Sequence, residues 1–346
     1  MNEQFDVSAV ITTYNRSEML GTALEAVLSQ KTGGVRYEVI VVDNNSTDNT
    51  RATVERFIAR GHTNLRYVFE PRQGIAHGRN AGIAAARAGI IAFTDDDVVV
   101  TENWIATINR GLAENTDVDY IGGKILPDWS EPPPQWLTVD HWWPLALLDR
   151  GDNHFYVNAS NPLCLPTANA SFRREIFSRL GLFSPDFSGR EDHEFFVRLW
   201  QQGGQGLYEP DLVVMAKVQP ERLLKSYHHR WNVKTGKFNS LMRLDEMASD
   251  GSVMKQRQYA VRLFGVPGCM YRQFVTQSLG WLRQSISGNA SRKMQHENRL
   301  FYLMGYVSKS YELAAAQEGH SNLRELASFT KAVFARLVRK RESYQQ

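Results

Sequence analysis

Three consecutive aspartates, Asp95, Asp96 and Asp97, close the apolar run of residues 89–94. A run of that length and composition reads as a buried strand, which puts the carboxylates at its carboxyl end. Adjacent carboxylates repel one another. They are tolerated at the mouth of a buried strand when a cation or several hydrogen-bond donors offset their charge. Oxygen-only ligands of this kind suit magnesium or manganese, ions that usually arrive with a diphosphate. The first expectation is therefore a metal–diphosphate site at the end of a sheet strand. A solvated acidic turn is the competing reading.

The segments upstream favour the site. Residues 7–13 read as a buried first strand, residues 37–42 as a second and residues 65–69 as a third. Between them, apolar residues at helical spacing predict one helix from Glu18 to about Gln30, with Ser17 as its N-cap, and another from Ser46 or Asp48 to about Arg60. Residues 74–79 read as a loop and residues 80–88 as a small-residue helix. This β-α-β-α-β order implies an α/β fold with a mainly parallel sheet and right-handed crossovers. In such sheets ligands collect beyond the carboxyl ends of the strands. Four polar clusters fall at that edge: residues 12–16, 43–46, 74–79 and 95–97.

Further along, residues 127–166 hold Trp129, Trp136, Trp142, Trp143 and a triple proline, and read as a long insertion or lid. Indole faces there suit stacking on sugar rings, with core packing an equal alternative. Later segments predict a strand at 168–173, a short helix at 174–180, a helix from Glu191 to about Gln201 and a last strand at 212–215. From Leu223 the pattern is helical and basic.

Composition narrows the function. The net charge of +3 gives no case for nucleic acid as the main partner. Cys164 and Cys269 form no C-x-x-C pair, which argues against structural zinc or a disulfide framework. The polar N-terminus shows no signal peptide, and no apolar run approaches the roughly 20 residues that span a bilayer. A cytoplasmic location is expected, with peripheral contact at the inner face of a membrane left open.

Five segments in order, residues 10–16, 41–48, 74–82, 93–97 and 189–192, make the chain resemble family-2 glycosyltransferases of the GT-A fold, of the inverting, bacterial type. The likeness covers roughly residues 7–225. It implies a GT-A nucleotide-sugar-binding domain over 1–225 and a helical C-terminal region over 226–346. The donor it implies is a nucleoside-diphosphate sugar. By family frequency the nucleotide is UDP, although Asn44 stands where many UDP users have Asp.

The resemblance also assigns roles. Thr12, Asp43 and Asn44 match base-reading positions, and Tyr14 and Arg16 share the first donor loop. Asp97, with Asp95, is the implied ligand of a divalent ion (Mn2+ or Mg2+), and Asp192 is the implied base, with Glu191 orienting it or touching acceptor. The residues support these roles independently. A ribose diol needs acceptors and a diphosphate needs cations, so Asp95 and Asp97 can divide that work, Asp96 can point into the strand end, and Arg79 can contact phosphate or base. Gly74 permits close backbone approach. An inverting transfer needs one carboxylate to take the acceptor proton.

One departure concerns the metal. Many family members carry a histidine just after the last strand, where this chain has Ala216. Lys217, His228 and His229 are the substitutes on offer. A calcium loop at 43–54 is rejected because position 48 is Asp and position 54 is Val, and a zinc helix at 193–197 because position 197 is Val.

The acceptor is expected to be a glycan, a lipid-linked sugar or a small glycoside. The basic C-terminal region, including Arg262, Arg272, Arg283, Arg292 and Lys293 and then Arg336, Arg339, Lys340 and Arg341, suits an anionic membrane surface, a homodimer interface or a solvated face. Two rival functions stand beside transfer. One is a catalytically silent sugar-nucleotide-binding scaffold. The other is a sugar-nucleotide pyrophosphorylase, disfavoured because no glycine-rich loop follows the first strand.

Overall fold

The computed structural model describes residues 5–187, 189–243 and 261–316. The basic cluster at 336–341 lies outside them. The chain divides into two compact units. One holds the described residues up to Glu131 together with Leu145–Gln219. The other holds Pro132–Pro144 together with the described residues from Pro220 on.

The first unit is built on a nine-stranded sheet. Strands β1 (Val7–Thr13), β2 (Tyr37–Asp43), β3 (Leu65–Phe69) and β4 (Ile90–Asp95) form its parallel half in the order β3-β2-β1-β4. Nearly every residue of β1 and β2 is buried, as their unbroken apolar sequences require of a sheet covered on both faces. Helices α1 (Ser17–Leu28), α2 (Thr50–Ala59) and α3 (Ile75–Ala85) make the crossovers. The sheet continues as a mixed half through β5 (Val98–Val100), β6 (Tyr120–Trp129), β7 (Phe155–Val157), β8 (Asn169–Arg173) and β9 (Gly206–Val218). Helices α4 (Trp104–Glu114), α5 (Glu175–Leu180) and α6 (Glu191–Gln201) complete this unit.

Two boundaries differ from the sequence expectation. Helix α3 begins at Ile75, so residues 75–79 are helical, not loop. Gly78 and Gly82 weaken the helical signal because glycine is a poor helix former. They are required by packing: a Cβ on Gly78 would lie 2.3 Å from Thr12 Cγ2, and one on Gly82 would lie 2.3 Å from Val10 Cγ1. The helix thus sits directly on β1. The long insertion is also shorter than it reads, because residues 127–129 finish β6 and Phe155–Val157 pairs with β9.

Register decides what meets at the carboxyl edge. Thr12 lies opposite Asp95, Thr13 opposite Asp43, and Asp43 opposite Phe69. An aromatic cluster sets α6 against the sheet: Phe195 packs on Phe172, Phe177 and Phe183, and Phe183 packs on Phe93.

The second unit is helical, with α7 (Lys225–Met242), α8 (Gly268–Ser287) and α9 (Ala290–Ala315), plus the short ribbon β10 (Arg262–Leu263) and β11 (Val266–Pro267). Helices α7 and α9 meet closely because Gly236 and Gly305 let backbones approach: a Cβ at either would strike the facing backbone of Tyr302 or Val233. Trp136 is buried in this unit, edge-on to His228 with ring centroids 4.9 Å apart. Among the described residues no helix is long and apolar enough to cross a membrane.

Candidate active site

The acidic triplet divides three ways. Asp96 turns inward. Its Oδ2 accepts from Thr13 Oγ1 at 2.8 Å and its Oδ1 from Arg16 Nη1 at 3.0 Å. The same Arg16 nitrogen donates to Asp97 Oδ2 at 3.2 Å. Burial pushes the Asp96 carboxyl above its ordinary range, against the pull of Arg16. Burial also opposes the Arg16 charge, but Asp96 and Asp97 outweigh it and raise the guanidinium. Asp95, a third exposed, faces Arg79, whose Nη2 is 3.8 Å from its Oδ1.

Arg79 is the junction of the site. It is buried on α3, and its Nη1 donates to Glu191 Oε1 at 2.5 Å. Burial works against its charge. Glu191, Asp95 and Asp192 together prevail and hold its pKa above the ordinary value. One guanidinium therefore lies in the field of both the strand-end triplet and the helix-start pair. Glu191 Oε2 is sealed from solvent without a hydrogen-bond partner. Asp192 is half-buried, and its Oδ1 accepts from the His193 backbone N–H at 2.7 Å.

The loop before α6 is held by Asn80, a residue with no role in the sequence reading. The amide of Asn80 donates to Phe183 O at 2.8 Å and accepts from Phe183 N at 3.0 Å. Arg79 and Asn80, neighbours on α3, thus hold the first residue of α6 and the loop before it, and the adjacency of Asn80 to Arg79 was the available signal. Cys164, from the tryptophan-rich insertion, is buried beside this cluster. Burial and the Asp192 charge push its thiol well up. His193 falls to about 4 through burial and the nearby Arg190 charge.

At the β1 and β2 ends the polar residues serve mainly one another. Asn15, at φ 51°, accepts on Oδ1 from Thr47 N at 2.7 Å, and its own N–H donates to Ser46 Oγ at 3.0 Å. Asp48 Oδ2 accepts from Ser17 N at 2.9 Å, so α1 is capped by the neighbouring loop, not by the Ser17 side chain. Asp43 is buried, accepting from Tyr67 OH at 2.7 Å and Ser46 N at 2.8 Å. The Asn44 amide donates to Arg72 O and Glu70 O, and accepts from Gly74 N. It spends its hydrogen bonds on the loop that leads to α3. Gly74 adopts φ 132°, which side chains rarely adopt. Thr12 Oγ1 is buried without a partner, while Tyr14 is exposed.

For a metal, the strand end offers Asp95 and Asp97. Across from them, Lys217 N donates to Asp97 O at 2.9 Å, and Ala216 pairs with Val98. His228 and His229 are engaged within the helical unit, His228 on Arg222 O and His229 stacked on Phe301. Among the described residues no group of three or more His, Cys, Asp or Glu is arranged to hold an ion. Two carboxylates suit a hard ion that keeps its other positions for water and phosphate oxygens.

Comparison with known proteins identifies the family and the fold. Residues 8–181 match the family model described as glycosyl transferase family 2. Among characterised relatives, the chain is 26% identical over 208 residues to the glucosyl-dolichyl phosphate glucuronosyltransferase of Haloferax volcanii, a match covering 58% of this chain. The chain spans 64% of that relative's length and as little as 24% of others. Among solved structures, S. aureus TarS residues 1–349 in complex with UDP superposes with TM-score 0.51 at 16% identity, covering 90% of this chain and 92% of that one. The mannosyltransferase PcManGT of Pyrobaculum calidifontis, in complex with GDP-Man and Mn2+, gives TM-score 0.50 at 18% identity, covering 96% and 81%. These likenesses are of fold.

Proposed function

The chain belongs to glycosyl transferase family 2, and on that premise we propose that it is an inverting glycosyltransferase using a nucleoside-diphosphate sugar. The observation that carries this reading is the shared cation: Arg79 bonds Glu191, approaches Asp95 and feels Asp192. A strand-end acidic triplet and a helix-start carboxylate pair are thereby kept around one space at the carboxyl edge of the sheet, where ligands of α/β sheets collect.

In this mechanism Asp192 takes the proton of the acceptor hydroxyl. The acceptor oxygen attacks the anomeric carbon, and the bond from that carbon to the diphosphate oxygen breaks with its electron pair leaving on the diphosphate. Glu191, fixed by Arg79, orients the start of α6 so that Asp192 holds its direction. Asp95 suits the ribose diol, and Thr12 and Asp43 line the base side. A divalent ion, held by Asp95 and Asp97, would supply positive charge to the leaving diphosphate. Structures of like fold in complex with UDP and with GDP-Man support the donor class, and the dolichyl-phosphate relative supports a lipid-linked or glycan acceptor.

The test is titration calorimetry with UDP- and GDP-sugars, with manganese and with a chelator, alongside donor turnover. Binding of one nucleotide class is expected. Asp97→Ala should remove the manganese-dependent part of the affinity, while wild-type affinity in that variant would take Asp97 out of metal binding. Donor binding without turnover would favour the silent scaffold, and failure of every donor to bind would overturn the donor reading.

A further inference from the structure

The outward side of α8 carries a surface that the transfer reading does not use. Val275, Leu279, Leu282 and Ile286 recur at i, i+4, i+7 and i+11, which aligns them along one stripe of the helix. All four are exposed, Ile286 to 90%. The opposite side of the helix is fixed. Met270 is buried, Gln277 Oε1 meets His296 Nδ1 at 2.6 Å, and Trp281 Nε1 donates to Glu297 Oε1 at 3.0 Å. Gly280 lies so close to the His296 ring that a Cβ would clash with it. The stripe therefore cannot roll inward without breaking the contacts to α9.

Charge selects the occupant. The only charged residues of α8 are Arg272 and Arg283, both exposed, and at helical spacing they flank the stripe on one side. A second copy of α8 would offer these cations no partner, because Arg272 sits in the seam and the helix has no carboxylate. An anionic bilayer offers both complements: acyl chains for the stripe and phosphate headgroups for the arginines. We infer that α8 lies on the surface of an anionic membrane, apolar stripe inward, as a peripheral docking helix. The inference is independent of donor chemistry.

Cosedimentation of the full chain with phosphatidylcholine vesicles, and with vesicles also containing phosphatidylglycerol, tests it. Binding is expected to the anionic vesicles and to fall with added salt. Arg272→Gln with Arg283→Gln should weaken it roughly thirtyfold, from about 1 kcal/mol per cation. Leu279→Ser with Ile286→Ser should abolish it, and both pairs should leave donor affinity unchanged because the substituted side chains are exposed. No binding by the wild-type chain at low salt would overturn the inference. So would self-association, read by light scattering, that the Leu279/Ile286 variant dissolves in the absence of vesicle binding.

Discussion

Arg79 and Glu191, 112 positions apart, form an ion pair at 2.5 Å with both side chains buried. The pair couples the helix that packs on β1 to the helix that begins with the candidate base. Its removal tests structure and chemistry at once.

Arg79→Gln leaves a carboxylate buried without its counter-charge. A loss of about 3–5 kcal/mol is expected, read from urea denaturation followed by tryptophan fluorescence. Arg79→Gln combined with Glu191→Gln should recover much of that loss, because two amides can satisfy each other where one amide and one charge cannot. A single variant as stable as the wild type would show that the pair is not buried in solution.

Asp192→Asn retains shape and removes the proposed proton acceptor. Turnover should fall by about two to four orders of magnitude while donor affinity holds. Unchanged turnover would exclude Asp192 as the base. A parallel fall in donor affinity would instead make it a binding residue.

Gly78→Ala should destabilise the protein by about 1–3 kcal/mol, although alanine is the better helix former, because its methyl meets Thr12 Cγ2. Thr12→Ser deletes that methyl. The double variant should therefore be more stable than Gly78→Ala alone, and a double-mutant cycle without coupling would refute the close approach.

Acid should weaken the fold through buried histidines. Burial lowers His228 to about 4, and His193 likewise to about 4. In the unfolded chain they titrate near 6.5. The unfolded state thus binds more protons between these values, and their contribution to stability is full above about 6.5 and lost as pH falls towards 4. The steepest loss is about 1.4 kcal/mol per pH unit for each histidine. His228→Gln keeps a donor for Arg222 O and cannot titrate. Its stability should decline less than that of the wild type between about pH 7 and 5, measured by denaturation across that range.

Much of the candidate site's placement was legible because its residues terminate apolar runs. Asp43 and Asp95 end strands, Asp96 and Asp97 follow directly, and Glu191 opens a helix at the residue expected from the pattern. What stayed hidden depends on partners distant in sequence. Gly78 reads as loop because its purpose, contact with Thr12, is invisible to local propensity. Asn44 looked like a ligand residue, yet its amide organises residues 70–74. Trp136 suited sugar stacking by composition, yet it is packed against His228. Strands β5 and β6 fall in a stretch without clear alternation, and their pairing with β9 becomes visible only in the sheet.

The interlock of Asn15 with Ser46 and Thr47, and of Ser17 with Asp48, makes the loops after β1 and β2 a single mechanical piece. Grafting either loop alone from a homologue with another nucleotide preference would strand the hydrogen-bond partners left behind. If these loops read the base as proposed, a change of base selectivity has to transplant both segments as a matched set.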